Sequence, residues 1–265
     1  MKKVLLQFLV SVLLFGMVLF SFSRVDWLSV LHIRETVIEE KLGELYWKFY
    51  SESETFVEND SVLAPLDSLL THLCEANDIE KDQIKLHVIR SKEINAFAFP
   101  DNHLVIYSSL ITTCENEMEL CGVMAHELAH MEKGHIMKKL LKEVGLSVLV
   151  SVVSGDGGTD VLSSTAKLLS STAYDRTLES EADRVGVAYL LQAKVNPQPF
   201  SELLFRLSVD ENLSSLSEWV STHPDSEKRS IQIADQAKTT GKGVEFKEVL
   251  NPLTWQKMKS VLSNN

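Results

Sequence analysis

The sequence is poor in several things, and each shortage closes off a class of function. Of its 265 residues, 26 are Lys or Arg against 37 Asp or Glu, a formal net charge of -11, and the basic residues form no cluster. Nucleic-acid binding needs a concentrated cationic surface to displace counterions, so nucleic acid is excluded as a partner. There are three cysteines, Cys74, Cys114 and Cys121, with no CxxC spacing. That count argues against a cysteine-type zinc site and against a redox pair. Cys114 and Cys121 remain open to pairing in an oxidising compartment, with small buried side chains as the plainer reading. No internal repeat is visible. At 45% hydrophobic residues, a chain of this length buries one core, which points to one main domain with appendages.

Uncharged apolar sequence is also scarce, except at the start. After Lys2 and Lys3, residues 4–23 carry no charge, close to the roughly 20 residues that span a bilayer as a helix. The expectation is a signal anchor, or a signal peptide cut near Ser21 and Ser23, over residues 1–23. Lys2 and Lys3 stay on the cytoplasmic side, which puts the rest of the chain outside the cytoplasm, in the periplasm or envelope and held to the membrane by the N-terminus. Residues 24–60 read as a membrane-proximal helix and a polar linker, 61–240 as the main domain, and 241–265 as a tail helix.

Within the main domain, Leu66, Leu69, Leu70 and Leu73 recur at helical spacing. Between Ile84 and Tyr107 the period shortens to that of strands: Leu86 to Ile89, Ala96 to Phe99, and Leu104 to Tyr107 after the turn at Pro100, Asp101 and Asn102. A small antiparallel sheet in a mainly helical α+β fold follows, with the last of these strands as the candidate edge for an extended ligand. Asn116 with Glu119 has the form of an N-cap and capping box, opening a helix that stops at Gly134. Leu140 to Val153 reads as one buried apolar helix before a glycine loop. Further helices are expected from Asp175 past Leu191 and between Pro199 and Ala237.

The helix opened by Asn116 carries His126-Glu127-Leu128-Ala129-His130. Two histidines one turn apart lie on one face and can reach one ion, with Glu127 beside them as a base. Catalytic zinc takes three protein ligands and keeps a fourth position for water, so a third ligand must come from elsewhere. His135 points to another side of the helix. The metzincin spacing fails, since Lys133 and Ile136 stand where Gly and His are required. On the helix after Asp175, Glu179 and Asp183 share a face and Glu181 points away. Glu179 is therefore the candidate third ligand and Asp183 the acceptor that orients a ligand histidine. Gly186, costly inside a helix, fits a close helix crossing.

These motifs, together with Asn95-Ala96-Phe97-Ala98 and Ser221-Thr222-His223-Pro224, resemble the gluzincin family that contains HtpX and the CAAX prenyl proteases, and within it the exported or membrane-bound Oma and BepA type. The resemblance covers roughly Leu63 to Arg229. It implies a zincin-like catalytic domain with one Zn2+ on His126, His130 and Glu179, Glu127 activating water, and Asp183 in support. It also places His223 near the metal, as a resting fourth ligand or a transition-state donor, and Arg229 close by. The implied function is a metalloendopeptidase acting on unfolded or misassembled membrane and envelope proteins; the alternative is a metal-bound chaperone or scaffold that does no chemistry. The helical repeat array that follows the domain in some BepA-type members has no counterpart after Lys238.

Overall fold

The structure, a computed structural model, describes residues 27–263 except Ser215, and gives only the backbone for residues 27–36 and Ser214. The expected N-terminal membrane segment, residues 1–23, lies outside the described residues. Among the described residues no helix is long and apolar enough to cross a membrane. The chain divides into two compact units, residues 1–39 and 40–265, and the site described below lies in the second.

In chain order the elements are α1 (Trp27–Ser53), α2 (Asp60–Ala76), a 3-10 turn (Lys81–Gln83), β1 (Lys85–Ile89), β2 (Ala96–Phe99), β3 (His103–Tyr107), α3 (Ser108–Thr113), α4 (Glu117–Glu132), α5 (His135–Val144), α6 (Leu146–Ser154), α7 (Gly158–Ser171), α8 (Arg176–Gln192), α9 (Gln198–Val209), α10 (Glu211–Ser214), α11 (Glu218–Thr222), α12 (Ser226–Thr240) and α13 (Pro252–Ser263). The mainly helical α+β class stands. The sheet, expected to be antiparallel throughout, is mixed, in the order β1-β3-β2. The tight turn with Asp101 and Asn102 at positive φ makes β2 and β3 an antiparallel hairpin. β1 instead pairs with β3 in parallel, because the chain from Ile89 to Ala96 crosses to the far side of β3. β3 is thus the central strand and cannot serve as the edge; β2 is an edge.

α4 owes its position to its sequence. Asn116 accepts hydrogen bonds from the Met118 and Glu119 N–H groups, and Glu119 reaches back to the Glu115 N–H at 2.9 Å. Arg206 of α9 then clamps Glu119 with contacts of 3.0 and 2.7 Å. Small residues let other helices approach. A Cβ on Gly122 would sit 2.3 Å from Phe200 Cβ, and one on Gly186 would meet the Ala125 and His126 backbone at 3.2 to 3.3 Å. The close crossing of α8 over α4 is the one that Gly186 implied.

Several regions differ from expectation or extend it, each for a local reason. Gly145, at φ 78°, splits the apolar run into α5 and α6. α7 was hidden by its serines, which interrupt a narrow stripe of Thr165, Ala166 and Leu169 as its buried residues. The tail joins the core: Trp255, Met258 and Leu262 are buried, and Glu117 accepts the Val249 and Leu250 N–H groups at 2.5 and 2.7 Å. The residues before α2 touch the core too: Leu42, Tyr46 and Tyr50 of α1 are buried, and residues 55–57 hydrogen-bond along β1. All three cysteines are free and buried, so Cys114 and Cys121 do not pair.

Candidate metal centre

α4 brings His126 and His130 onto one face, one turn apart, with their Nε2 atoms 3.0 Å from each other. α8 crosses at Gly186 and delivers Glu179, whose Oε1 lies 3.2 Å from His130 Nε2 and whose Oε2 lies 3.7 Å from His126 Nε2. The third approach comes from the end of α11. There His223, its N–H bonded to the Trp219 carbonyl, puts Nδ1 at 3.2 Å from His126 Nε2 and 3.1 Å from Glu179 Oε1. One ligand atom from each of His126, His130, Glu179 and His223 falls within 4.8 Å of the others, and all four residues are buried.

The outer contacts decide which ring nitrogens face inward. His126 Nδ1 lies 3.1 Å from Asp183 Oδ1, and Arg229 grips Asp183 with two bonds of 2.7 Å while its Nη1 meets Glu179. His130 Nδ1 lies 3.0 Å from His135 Nδ1, and His135 Nε2 lies 3.3 Å from Glu181. A proton on His130 Nδ1 satisfies His135 and one on His126 Nδ1 faces the Asp183 carboxylate, which leaves both Nε2 lone pairs pointing at each other and at a carboxylate. Acceptors facing acceptors repel in a buried site; a cation between them resolves the conflict. Glu127, whose carboxylate oxygens have no hydrogen-bond partner, and His223 Nε2, equally unpartnered, flank the same space 3.5 Å apart. The donor set of imidazole nitrogens, one carboxylate and an adjacent unpaired carboxylate fits a metal with a water beside it.

Titration follows the same geometry. Burial, reinforced by Glu179, pushes the Glu127 carboxyl well above its usual range. Burial works against the charged form of Glu179 too, but His223 and Arg229 outweigh it and hold that carboxyl well below normal. Asp183 is likewise lowered by Arg229 against the cost of burial. Burial keeps His130 neutral and lowers His223 to about 4.

Every residue singled out from the sequence, His126, Glu127, His130, Glu179, Asp183, His223 and Arg229, is thus within this one cluster. Three others were missed. His135, set aside as a ligand, holds His130 from behind, because Gly134 in a left-handed conformation (φ 62°) bends the chain so that His135 starts a new helix. Glu181, which faces away from the metal side, completes that chain. Tyr174 stacks on His130 with centroids 4.1 Å apart, and only its place before the α8 start hinted at proximity.

The sequence pattern of Peptidase family M48 matches residues 63–237. The chain is 27% identical over 211 residues to a putative beta-barrel assembly-enhancing protease of Vibrio cholerae, covering 74% of this chain and 43% of that protein. It is 28% identical over 205 residues to the mitochondrial metalloendopeptidase OMA1 of Bos taurus, covering 69% of this chain and 39% of the relative. Against the beta-barrel assembly-enhancing protease of Escherichia coli it is 28% identical over 215 residues, covering 75% and 44% of the two chains. The chain spans less than half the length of these relatives.

Proposed function

The chain belongs to peptidase family M48, and from that membership we propose that it is a zinc-dependent endopeptidase acting on unfolded or misassembled proteins of a membrane or envelope. The observation that carries this is the convergence of His126 Nε2, His130 Nε2 and the Glu179 carboxylate at 3.0 to 3.7 Å with unpartnered Glu127 beside them. His126, His130 and Glu179 would hold the metal, and two imidazoles with one carboxylate suit zinc. Bound there, zinc would supply a water acidic enough to attack a peptide carbonyl near neutral pH.

The chain's own groups do the rest. Glu127, with its raised proton affinity, takes the proton from the attacking water and returns it to the departing amine. Arg229 is committed to Asp183 and Glu179; its role is to keep both carboxylates charged and oriented. That leaves His223, whose Nε2 makes no hydrogen bond and faces Glu127 at 3.5 Å, as the group that meets charge developing on the substrate carbonyl. For the peptide, β2 offers the docking line. Asn95 accepts the Tyr107 N–H at 2.9 Å, so the antiparallel alternation turns the N–H and C=O of Ala96 and Ala98 away from β3. An extended chain pairing there through its main chain passes Glu127 with little demand on sequence.

The envelope assignment rests on the uncharged run at residues 4–23 and on the relatives' names. The deciding experiment takes the full chain, wild type beside Glu127→Gln and Glu179→Gln, and measures zinc content and casein cleavage. Expected are one zinc and cleavage for wild type, zinc without cleavage for Glu127→Gln, and neither for Glu179→Gln. A wild type without zinc, or a Glu127→Gln chain that cuts as fast, sinks the reading.

A further inference from the structure

β2, the strand that would dock a peptide, is closed on every side. β3 pairs with one edge, α4 packs one face, and Tyr50 of α1 packs on Phe97 and Phe99 on the other, with centroids 5.6 Å from each. α7 packs against β2 as well, joined by the Asn95 Nδ2 bond to the Ser170 carbonyl just before the strand, and all four β2 residues are at most 1% exposed.

Three side chains grip α7 by its carbonyls. Tyr50 Oη donates to Ala166 O at 3.1 Å, Asn95 Nδ2 to Ser170 O at 3.3 Å, and Lys139 Nζ to Leu169 O at 3.1 Å. The last carbonyls of a helix have no intrahelical partner and carry its negative end, so a cation is well placed there. Lys139 is only 3% exposed, and no carboxylate pairs with it among the described residues. Its other neighbour is the Tyr174 ring, 4.1 Å from Nζ, the ring that stacks on His130. A buried ammonium is costly; Glu127 and Glu179 favour its charge from beyond ion-pair distance, and the Leu169 carbonyl is its hydrogen-bond acceptor.

The segment that Lys139 grips is bounded by glycine turns. Gly145, Gly155 and Gly158 sit at φ 78°, 83° and 66°, and a Cβ at any of them would meet nothing within 4 Å. Three buried residues, Thr165, Ala166 and Leu169, make up the inner face of α7. So small an apolar strip leaves much of the hold on α7 to the three polar grips, and segments held that way open before the rest of a fold.

We propose that the α6–α7 hairpin is a resident lid over the docking edge of β2, and that Lys139 is the positioning residue that latches it. Peptide then binds by exchanging the α7 contacts for main-chain bonds to Ala96 and Ala98, and cleavage waits on that exchange. This rests on the endopeptidase reading, but the lid can be observed without cleavage.

The test compares amide hydrogen exchange of the full chain with Glu127→Gln throughout, with and without Lys139→Met or Tyr50→Phe. With Lys139→Met, residues 158–171 and 95–99 should exchange together at least about tenfold faster, with about threefold for Tyr50→Phe, while α8 and the metal content stay as they were. If Lys139→Met does not fold, Tyr50→Phe decides. Exchange at wild-type rates in the variants, or opening of 158–171 without 95–99, overturns the lid. With Glu127 restored, Tyr50→Phe, which removes no charge near Glu127, should raise kcat/KM on casein about twofold to threefold; open segments with unchanged turnover in that variant would equally overturn it. A wild type that never cuts casein would instead refute the endopeptidase reading and leave the exchange result to judge the lid.

Discussion

Two groups of histidines sit on opposite faces of the same small sheet, and only one of them looks like chemistry. Behind α4, His126, His130 and His223 converge on Glu179 with unpartnered polar atoms facing inward. On the outer face, His87 Nε2 lies 2.9 Å from His103 Nδ1, and the pair is packed among Trp47, Phe56 and Phe99, with Trp47 stacked 4.0 Å from His87 and Phe99 stacked 4.2 Å from His103. One carboxylate is near, Asp101, at 4.0 Å from His103, and it is paired with Lys85. Histidine burial is therefore not the signal. Converging acceptors that cannot satisfy one another mark a candidate metal centre, whereas a donor–acceptor pair among aromatic rings is filler with a hydrogen bond.

The largest effect that could break this contrast is at Glu127. Glu127→Gln should lower peptide cleavage by about 10³-fold with zinc retained, since the amide is nearly isosteric but cannot take a proton. Replacing both outer histidines by Phe should leave zinc content and cleavage as they were, because an apolar pair of similar shape suits that pocket. A double variant that loses zinc would show that the two clusters are not independent.

Next comes the charge that holds the inner site together. Arg229 is buried against Asp183 and Glu179. Arg229→Met strands two carboxylates in the interior, which should cost about 3–5 kcal/mol in the metal-free protein. Added zinc should recover part of that, since it neutralises Glu179. Denaturant unfolding with and without zinc measures both; an equal loss in the two conditions would mean that Arg229 supports the fold and not the metal centre.

The inner cluster was legible in the sequence because its parts are local. An N-cap, two histidines one turn apart, a Glu and Asp one turn apart and a Gly at a crossing each follow from helix geometry alone. What escaped depends on how distant pieces meet. Parallel pairing of β1 with β3 needs a chain crossing that no local pattern records. His135 seemed to face elsewhere until Gly134 ended one helix and began another. α7, serine-rich and with a narrow apolar stripe, carries little periodic signal, and its packing against β2 is a long-range contact.

The outer pair gives a smaller, pH-dependent test. Burial, the leading cause, lowers His87 to about 4 and His103 to about 3. Both are neutral in the folded and unfolded chain above about pH 6.5, so their burial is unpenalised there. As pH falls below 6.5 the unfolded chain takes up protons that the folded chain refuses, and stability drops until the folded pKa values are reached. Discounted for partial solvent access, the loss between pH 6.5 and 4 should be about 2 kcal/mol, and the His87→Phe, His103→Phe double variant should lose that much less over the same interval. Identical pH profiles would place the acid sensitivity wholly in the inner site.

The smallest effect concerns the helix crossing that separates the two environments. At Gly186 an added methyl would meet the His126 N and the Ala125 carbonyl group at 3.2 to 3.3 Å, tight enough that one backbone must yield. Alanine is intrinsically the better helix residue by about 1 kcal/mol, and forcing a well-packed contact costs about 1–3 kcal/mol. The methyl presses on the α4 backbone beside a residue fixed by Asp183 on one side and by the converging ligands on the other, so the strain term should win by about 1 kcal/mol. The displacement would act between Glu179 and His126, so zinc affinity should fall along with the melting temperature, while the outer pair's pH profile stays unchanged. A Gly186→Ala chain more stable than wild type with undiminished zinc affinity would show that α8 has room to shift, and that the close crossing does not set the geometry of the site.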